Sequence, residues 1–205
     1  AAPKSKMPWG IVIRVAASFF VYNLIYCVVY YQIAVICVDK GVVDTAFIGL
    51  LSSLATIGSF VACSTFGLYF PRTKRFTITI AYALMAVFFI VLYLATEPAP
   101  IAIASTLLGA CYGLGLSYFL TYATMVVPPE HIPMSTAVVT FAMGISSFLA
   151  SYVPYWIMAA MGTESITATI PPMVIVLGIG CVLTIFFGLK ERHYFDSMSA
   201  PAETK

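Results

Sequence analysis

Charge is what this chain has least of. Only 9% of its 205 residues are Asp, Glu, Lys or Arg, against 61% hydrophobic, and its mean hydropathy is +1.00. A water-soluble domain is nearer a quarter charged. No core of this length hides so much apolar surface, so lipid must be the solvent for most of it. The net charge of +2 gives no field for nucleic acid, and the basic residues do not run along one helix face. The five cysteines, at 27, 37, 63, 111 and 181, sit in apolar runs with no CxxC pair and no Cys/His cluster. They read as small packing residues rather than metal ligands. There is no GxxxxGK[ST] phosphate loop, no TVGYG-like filter and no arginine-repeat voltage sensor. No histidine or lysine lies within an apolar run to activate a serine there. We therefore expect no enzymatic activity, no cofactor and no metal.

The few charges punctuate the chain. Residues 15–38, 45–71, 76–96, 98–129, 132–163 and 165–189 are free of Asp, Glu, Lys and Arg. Each gap is long enough for one crossing of the hydrocarbon by a helix of about 20 residues, and too short for two. Helix is preferred to strand because a span must satisfy its own backbone polar groups, and these runs are too long and too continuously apolar for barrel strands. This predicts an all-α membrane protein with helices near 11–37, 45–69, 76–95, 101–126, 133–160 and 168–189. Residues 1–10 would form a linker and 190–205 a tail. Pro98 with Pro100, and Pro128 with Pro129, mark connections. Pro171 and Pro172 belong in a first helical turn, where a missing N–H does little harm. Pro154 should kink the fifth helix.

Six crossings put both termini and the loops near 70–75 and 128–132 on one side. That side holds Lys4, Lys6, Arg14, Arg72, Lys74, Arg75, Lys190, Arg192 and Lys205, and the other holds only Lys40. Basic residues stay cytoplasmic, so both termini are expected inside, with the chain in a plasma or inner membrane. Arg14 lies one turn into the first span and can snorkel to that surface. His131 and His193 read as ordinary loop histidines.

The densest basic cluster, in "GLYFPRTKRF" (67–76), ends a span on a glycine and turns at once. It resembles the loop between the second and third helices of each half of major facilitator superfamily transporters: Gly, three residues, Asp-Arg, any residue, Gly-Arg. Gly67, Arg72 and Arg75 fall in register. Pro71 stands in place of the acid, which leaves no salt-bridge latch, and Lys74 replaces the second glycine. With six spans and the "VPPEHIPMSTA" loop (127–137), the resemblance covers nearly the whole chain. It implies the last six helices of a twelve-helix secondary transporter, built as two inverted three-helix repeats. "AAPKSKMPWG" would then end a central linker, and Gly67, Arg72, Lys74 and Arg75 would form a cytoplasmic hinge loop. Its partners would be a small organic solute, the lipid bilayer and the N-terminal six-helix half.

In that family the first helix of each repeat lines the cavity, the second faces the other half and the third faces lipid. Spans three and six are correspondingly plain. Span two carries Gly49, Ser52, Thr56 and Ser59, with Cys63, on one stripe, and span five carries Thr140, Gly144, Ser147 and Ser151 on another. Both suit close helix packing. The cavity candidates are Tyr22, Asn23, Tyr26 and Tyr30 on span one, and Ser117, Tyr118, Thr121 and Tyr122 on span four, after glycines 109 and 113. Tyrosine suits a mostly apolar site needing a few oriented hydrogen bonds. An interfacial aromatic belt is the other reading; it fits Tyr30 and Tyr31 better than Tyr22, Asn23 and Tyr118. No ionisable residue lies deep in a span, so a proton-coupled symporter or antiporter would keep its titrating group in the missing half. Two alternatives stay open: a half-size transporter pairing with a second copy, and a six-helix structural or assembly protein.

Overall fold

The computed structural model describes residues 6–42 and 44–190, with the backbone alone at 45, 75 and 187–190. Lys4, Arg192, His193, Lys205 and the side chain of Arg75 lie outside the described residues. Seven helices follow in order: α1 (Trp9–Asp39), α2 (Thr45–Thr73), α3 (Thr77–Leu94), α4 (Pro98–Met125), α5 (Ile132–Ala150), α6 (Val153–Met161) and α7 (Ile170–Lys190). Short 3₁₀ turns at Lys74–Phe76, Pro129–His131 and Ile166–Thr169 join them, and no strand occurs among the described residues. All but α6 are long and apolar enough to cross a membrane, which marks the chain as an integral membrane protein.

Local chemistry sets the helix ends. The Asp44 carboxylate accepts from the Ala46 N–H at 2.9 Å and starts α2. Gly41 and Gly162 take positive φ past the ends of α1 and α6. There Val42 N–H donates to the Cys37 carbonyl at 2.8 Å, and Thr163 N–H to that of Met158 at 3.1 Å. Pro171 and Pro172 sit in the first turn of α7, as expected. Pro98 and Pro100, expected in a loop, instead open α4 three residues earlier than predicted. Pro at the start of a helix removes only N–H groups that have no helical partner there. Helix α2 also runs past its expected end at 69, carrying Pro71 in its final turn.

The larger correction is in the fifth span, which breaks rather than kinks. Helix α5 stops at Ala150, and Pro154 is the second residue of α6. A proline at 154 cannot donate to the Ala150 carbonyl and its ring collides with it. The chain therefore tightens, with Tyr152 N–H reaching the Leu149 carbonyl at 2.9 Å, and restarts.

Helix α2 lies along α4, α1 along α5, and α3 against both α4 and α7, while α1 crosses α4 at the centre. The α2–α4 seam is the tightest. A Cβ at Gly109 would strike the Ala55 backbone, one at Gly58 the Thr106 carbonyl, and one at Gly113 the Ser59 carbonyl at 2.5 Å. Small residues let backbones touch where apolar lipid supplies little drive for association. The stripe of α2 clasped by α4 thus runs Leu51, Ala55, Gly58, Ala62. The polar stripe lies beside it, with Gly49 and Thr56 exposed and Ser52 and Ser59 half-buried. Helix α5 repeats this. Ser135, Val139, Ser146 and Ala150 are buried, while Thr140, Gly144 and Ser151 are exposed and Ser147 half-buried.

The end that carries Lys40 is laced by two adjacent side chains. Lys40 Nζ donates to the carbonyls of Tyr93 and Ala95 at 2.7 and 2.8 Å, closing α3. Burial lowers the pKa of its ammonium below the ordinary lysine value. Asp39 Oδ2 accepts from the hydroxyls of Ser165 and Thr167, both at 2.6 Å, and holds the turn before α7.

Because the Gly109 hydrogen already faces a backbone, Gly109→Ala should push α2 off α4 and cost about 1–3 kcal/mol by overpacking. Gly178→Ala on α7, with nothing within 4 Å of its new methyl, should leave thermal stability in detergent unchanged or slightly raised. Equal melting temperatures for the two variants would contradict the clasp.

Candidate ligand groove

Helix α1 is the central post. Its residues 22, 23, 26, 27 and 30 share a face at steps of three and four. Tyr22 is fully buried; its hydroxyl donates to the Cys111 carbonyl at 2.6 Å, and its ring fills the space beside Gly115. Asn23 is also fully buried and joins three helices. Its amide nitrogen donates to the hydroxyl oxygens of Ser146 and Ser147 at 2.8 and 2.9 Å, with the Met143 carbonyl at 3.2 Å. Its amide oxygen accepts from the Tyr112 hydroxyl at 3.0 Å. An amide has two donors and two acceptor lone pairs. Here both donors and one side of the oxygen are used, so Asn23 acts as a structural hub.

In front of that hub opens a groove of about 380 Å³. Tyr26, Cys27, Tyr30 and Tyr31 of α1 form its floor, Thr56, Ser59 and Phe60 of α2 one bank, and Tyr112 and Ser147 of α4 and α5 the other. Three rings form a continuous stack. Tyr26 lies on Tyr112 at 4.0 Å between centroids and 7° between planes, and Tyr30 lies on Tyr26 at 5.5 Å and 18°. Cys27 Sγ stands 3.7 Å from Ser147 Oγ. The surface is aromatic and hydroxylic, and its lining contains no Asp, Glu, Lys, Arg or His. It can stack a ring and exchange a few neutral hydrogen bonds.

A second hollow, of about 390 Å³, lies between α2, α3 and α4. Its hydroxyls are already spent on helix carbonyls: Thr65 on Val61, Tyr69 on Ala62 and Thr73 on Tyr69, at 2.8, 2.8 and 3.0 Å. It therefore offers less polar recognition than the groove, although it is as large. Among the described residues no group of His, Cys, Asp or Glu could hold a metal ion.

Of the eight cavity candidates, the structure places Tyr26 and Tyr30 on the groove. Tyr22 and Asn23 lie behind it, already hydrogen-bonded. The four candidates on α4 are elsewhere. Tyr118 and Tyr122 are buried and stacked on each other at 5.8 Å, with Phe70 edge-on to Tyr118, and Ser117 and Thr121 are half-buried. The glycine clasp sets the rotation of α4 and turns Tyr112 to the groove. At 3.6 residues per turn Tyr118 then points about 120° away. Sequence reasoning missed Tyr112, Cys27 and Phe60, and left Tyr31 to a belt. The available signal was Tyr112 itself, between glycines 109 and 113.

Of the hinge-loop residues, Gly67 is exposed, with nothing within 4 Å of where a Cβ would point. Arg72 is exposed in the last turn of α2. Lys74 has φ 40° and ψ −117°, and it is the only non-glycine residue with positive φ among the described residues. Glycine adopts such a conformation at no steric penalty, whereas other residues store strain there. The turn is pinned by Thr77, whose hydroxyl donates to the Lys74 carbonyl at 2.7 Å and lies 2.6 Å from that of Thr73.

Comparison with protein-family models finds no match, and comparison with curated proteins finds none.

Asn23→Ala should strand the Tyr112 hydroxyl and loosen α5 from α1, lowering stability by about 1–3 kcal/mol, the usual penalty for orphaned buried polar groups. Tyr93→Phe, on a half-exposed ring of α3, should change nothing. Thermal unfolding in detergent reads both, and an unshifted Asn23→Ala melt would remove Asn23 as the hub.

Proposed function

We propose that this chain is the C-terminal six-helix half of a secondary active transporter of the major facilitator type. It moves a small neutral or amphipathic organic solute by rocking against the N-terminal half. The observation that carries the reading is the groove: its floor comes from α1, and Tyr112 of α4 stacks on that floor; these are the two helices that the resemblance assigns to a cavity, while α2 forms one bank and Ser147 of α5 joins Tyr112 on the other.

Three further features bear on it. Exchanging the first three spans for the last three turns the α2–α4 pair into the α5–α1 pair and returns the α3–α7 pair to itself. All three pairs are among the closely packed ones, whereas α3–α4 packs closely and its image, α7–α1, makes only a slight contact, so the packing follows the exchange in part. Helices α2 and α5 also bury little of themselves, 22% and 17% of their most apolar windows against 56% for α1; α7 matches α2 at 22%, so such faces are open to lipid or to another body alike. Lastly, the glycine-favouring backbone falls at Lys74, where the transporter loop motif has its second glycine.

The described charges fit the same scheme. Lys6, Arg14, Arg72 and Lys74 belong to one end of the bundle together with Glu130, and Asp39, Asp44, Glu97 and Glu164 to the other with Lys40. By the positive-inside rule the first end is cytoplasmic, and the chain sits in a plasma or inner membrane. Arg72 would meet lipid phosphates there. Symport or antiport would draw its coupling carboxylate from the N-terminal half.

Uptake of uncharged solutes by vesicles carrying the whole protein tests this. Tyr26→Ala and Ser147→Val should raise the half-saturation concentration about tenfold, which corresponds to about 1.4 kcal/mol of lost binding. Tyr93→Phe should not move it. Equal effects at all three positions, or no solute moved, would overturn the reading.

A further inference from the structure

The hydroxyls of these helices are nearly all placed. Thr106 donates to the Ala102 carbonyl at 2.9 Å, Thr56 to Ser52 at 2.9 Å and Ser53 to Gly49 at 3.2 Å, the usual retreat of a hydroxyl in an apolar helix. Ser105, next to Thr106, does not follow them. It is 1% exposed, and its Oγ is the only buried side-chain nitrogen or oxygen among the described residues without a hydrogen-bond partner. Such an atom forfeits about 1–3 kcal/mol if nothing ever meets it, so it requires a reason.

Ser105 lines a small, partly open pocket with Ala55, Leu108 and Phe89, in which there is room for about one water-sized sphere, about 10 Å³. The remaining wall includes Tyr26 and Tyr30, which are also floor residues of the open groove. Two rings are therefore shared by a large open space and a small one that ends on an unused hydroxyl. The two rings are held unequally. Tyr26 is 7% exposed and clamped face-to-face on Tyr112, whereas Tyr30 is half-buried at the outer end of the stack. Tyr30 touches only Tyr26 and, at 5.8 Å, Tyr31 among the rings, and is the less enclosed of the two.

We propose that the Ser105 pocket is a deep subsite of the groove, with Tyr30 at its mouth. When Tyr30 turns aside, the pocket admits the compact, uncharged end of a ligand, and Ser105 meets its single hydroxyl or carbonyl oxygen. The walls set that class. Apart from Ser105 and the two tyrosines they are apolar, so a charged end finds no counter-charge and a second polar atom finds no partner. The inference rests on the groove being a ligand site and adds to it the depth, the gate and the chemistry of the buried end.

The test uses the intact protein in membrane vesicles and a small neutral thiol reagent, methyl methanethiosulfonate, with site-by-site readout by peptide mass spectrometry. The thiol introduced by Ser105→Cys should be modified, and Tyr30→Ala in the same chain should raise its rate about tenfold or more. Native Cys37 and Cys111, 0% and 2% exposed, serve as buried controls in the same sample. A position-105 thiol as inert as Cys37 in both backgrounds would overturn the subsite. Hydroxyl-radical labelling of the unmutated protein checks the pocket without a substitution: Leu108 should be oxidised faster than fully buried Leu51, and equal protection would overturn it. Neither readout needs transport. A labelled position 105 in a protein that moves no solute would leave the subsite standing while the transporter reading fell.

Discussion

Everything in this bundle depends on one requirement: inside hydrocarbon, a polar atom must find its partner within the protein. Asn23 shows what that does. A lone amide on α1 cannot face lipid, so it gathers Tyr112 from α4 and Ser146 and Ser147 from α5 around itself. Those bonds give an otherwise greasy contact a fixed rotation and register. The groove is what stands in front of them. Tyr112 stacks on Tyr26 while donating to Asn23, and Ser147 closes the wall beside Cys27. The joint between the helices and the lining of the groove share the same atoms. A ligand that touched Tyr112 or Ser147 would touch the joint between α1, α4 and α5.

The spans were legible because charge is excluded from lipid, and gaps between charges are lengths. Tertiary chemistry then shifted what composition could not resolve. Pro154 was visible, but the extent of its effect was not, because a break rather than a kink depends on whether the chain beyond has anything to dock against; α6 packs on the turn before α7. The small-residue stripes of α2 and α5 were found one face over from the buried ones. Glycine, serine and threonine mark a close approach without saying which partner approaches, and the clasp chose Ala55 and Gly58 over Gly49 and Thr56. The rotation of α4 was hidden for the same reason, which is why Tyr118 and Tyr122 were favoured and Tyr112 was missed. Ser105 carried no sequence signal, since only the packing around it reveals a hydroxyl with nothing to bond.

The proposed function gathers the features that the six helices leave unused among themselves. The groove lies open, the outer faces of α2 and α5 carry exposed Phe60, Phe141 and Phe148 among small polar residues, and the α2–α3 turn holds a lysine in a glycine's backbone. A second six-helix body across that face would cover the aromatic rings, complete the groove as a mid-membrane site and give the strained turn a part in rocking. The two tyrosines between groove and inner pocket would then shape the solute from this side.

The most direct measurement of the central claim is photo-crosslinking from position 144 in the native membrane, with the photoreactive side chain replacing Gly144, which is exposed with nothing within 4 Å. The account predicts a crosslink to another six-helix segment of the same polypeptide, seen as an internal loop by mass spectrometry. Adducts to lipid alone, or to a second copy of this same chain, would contradict it.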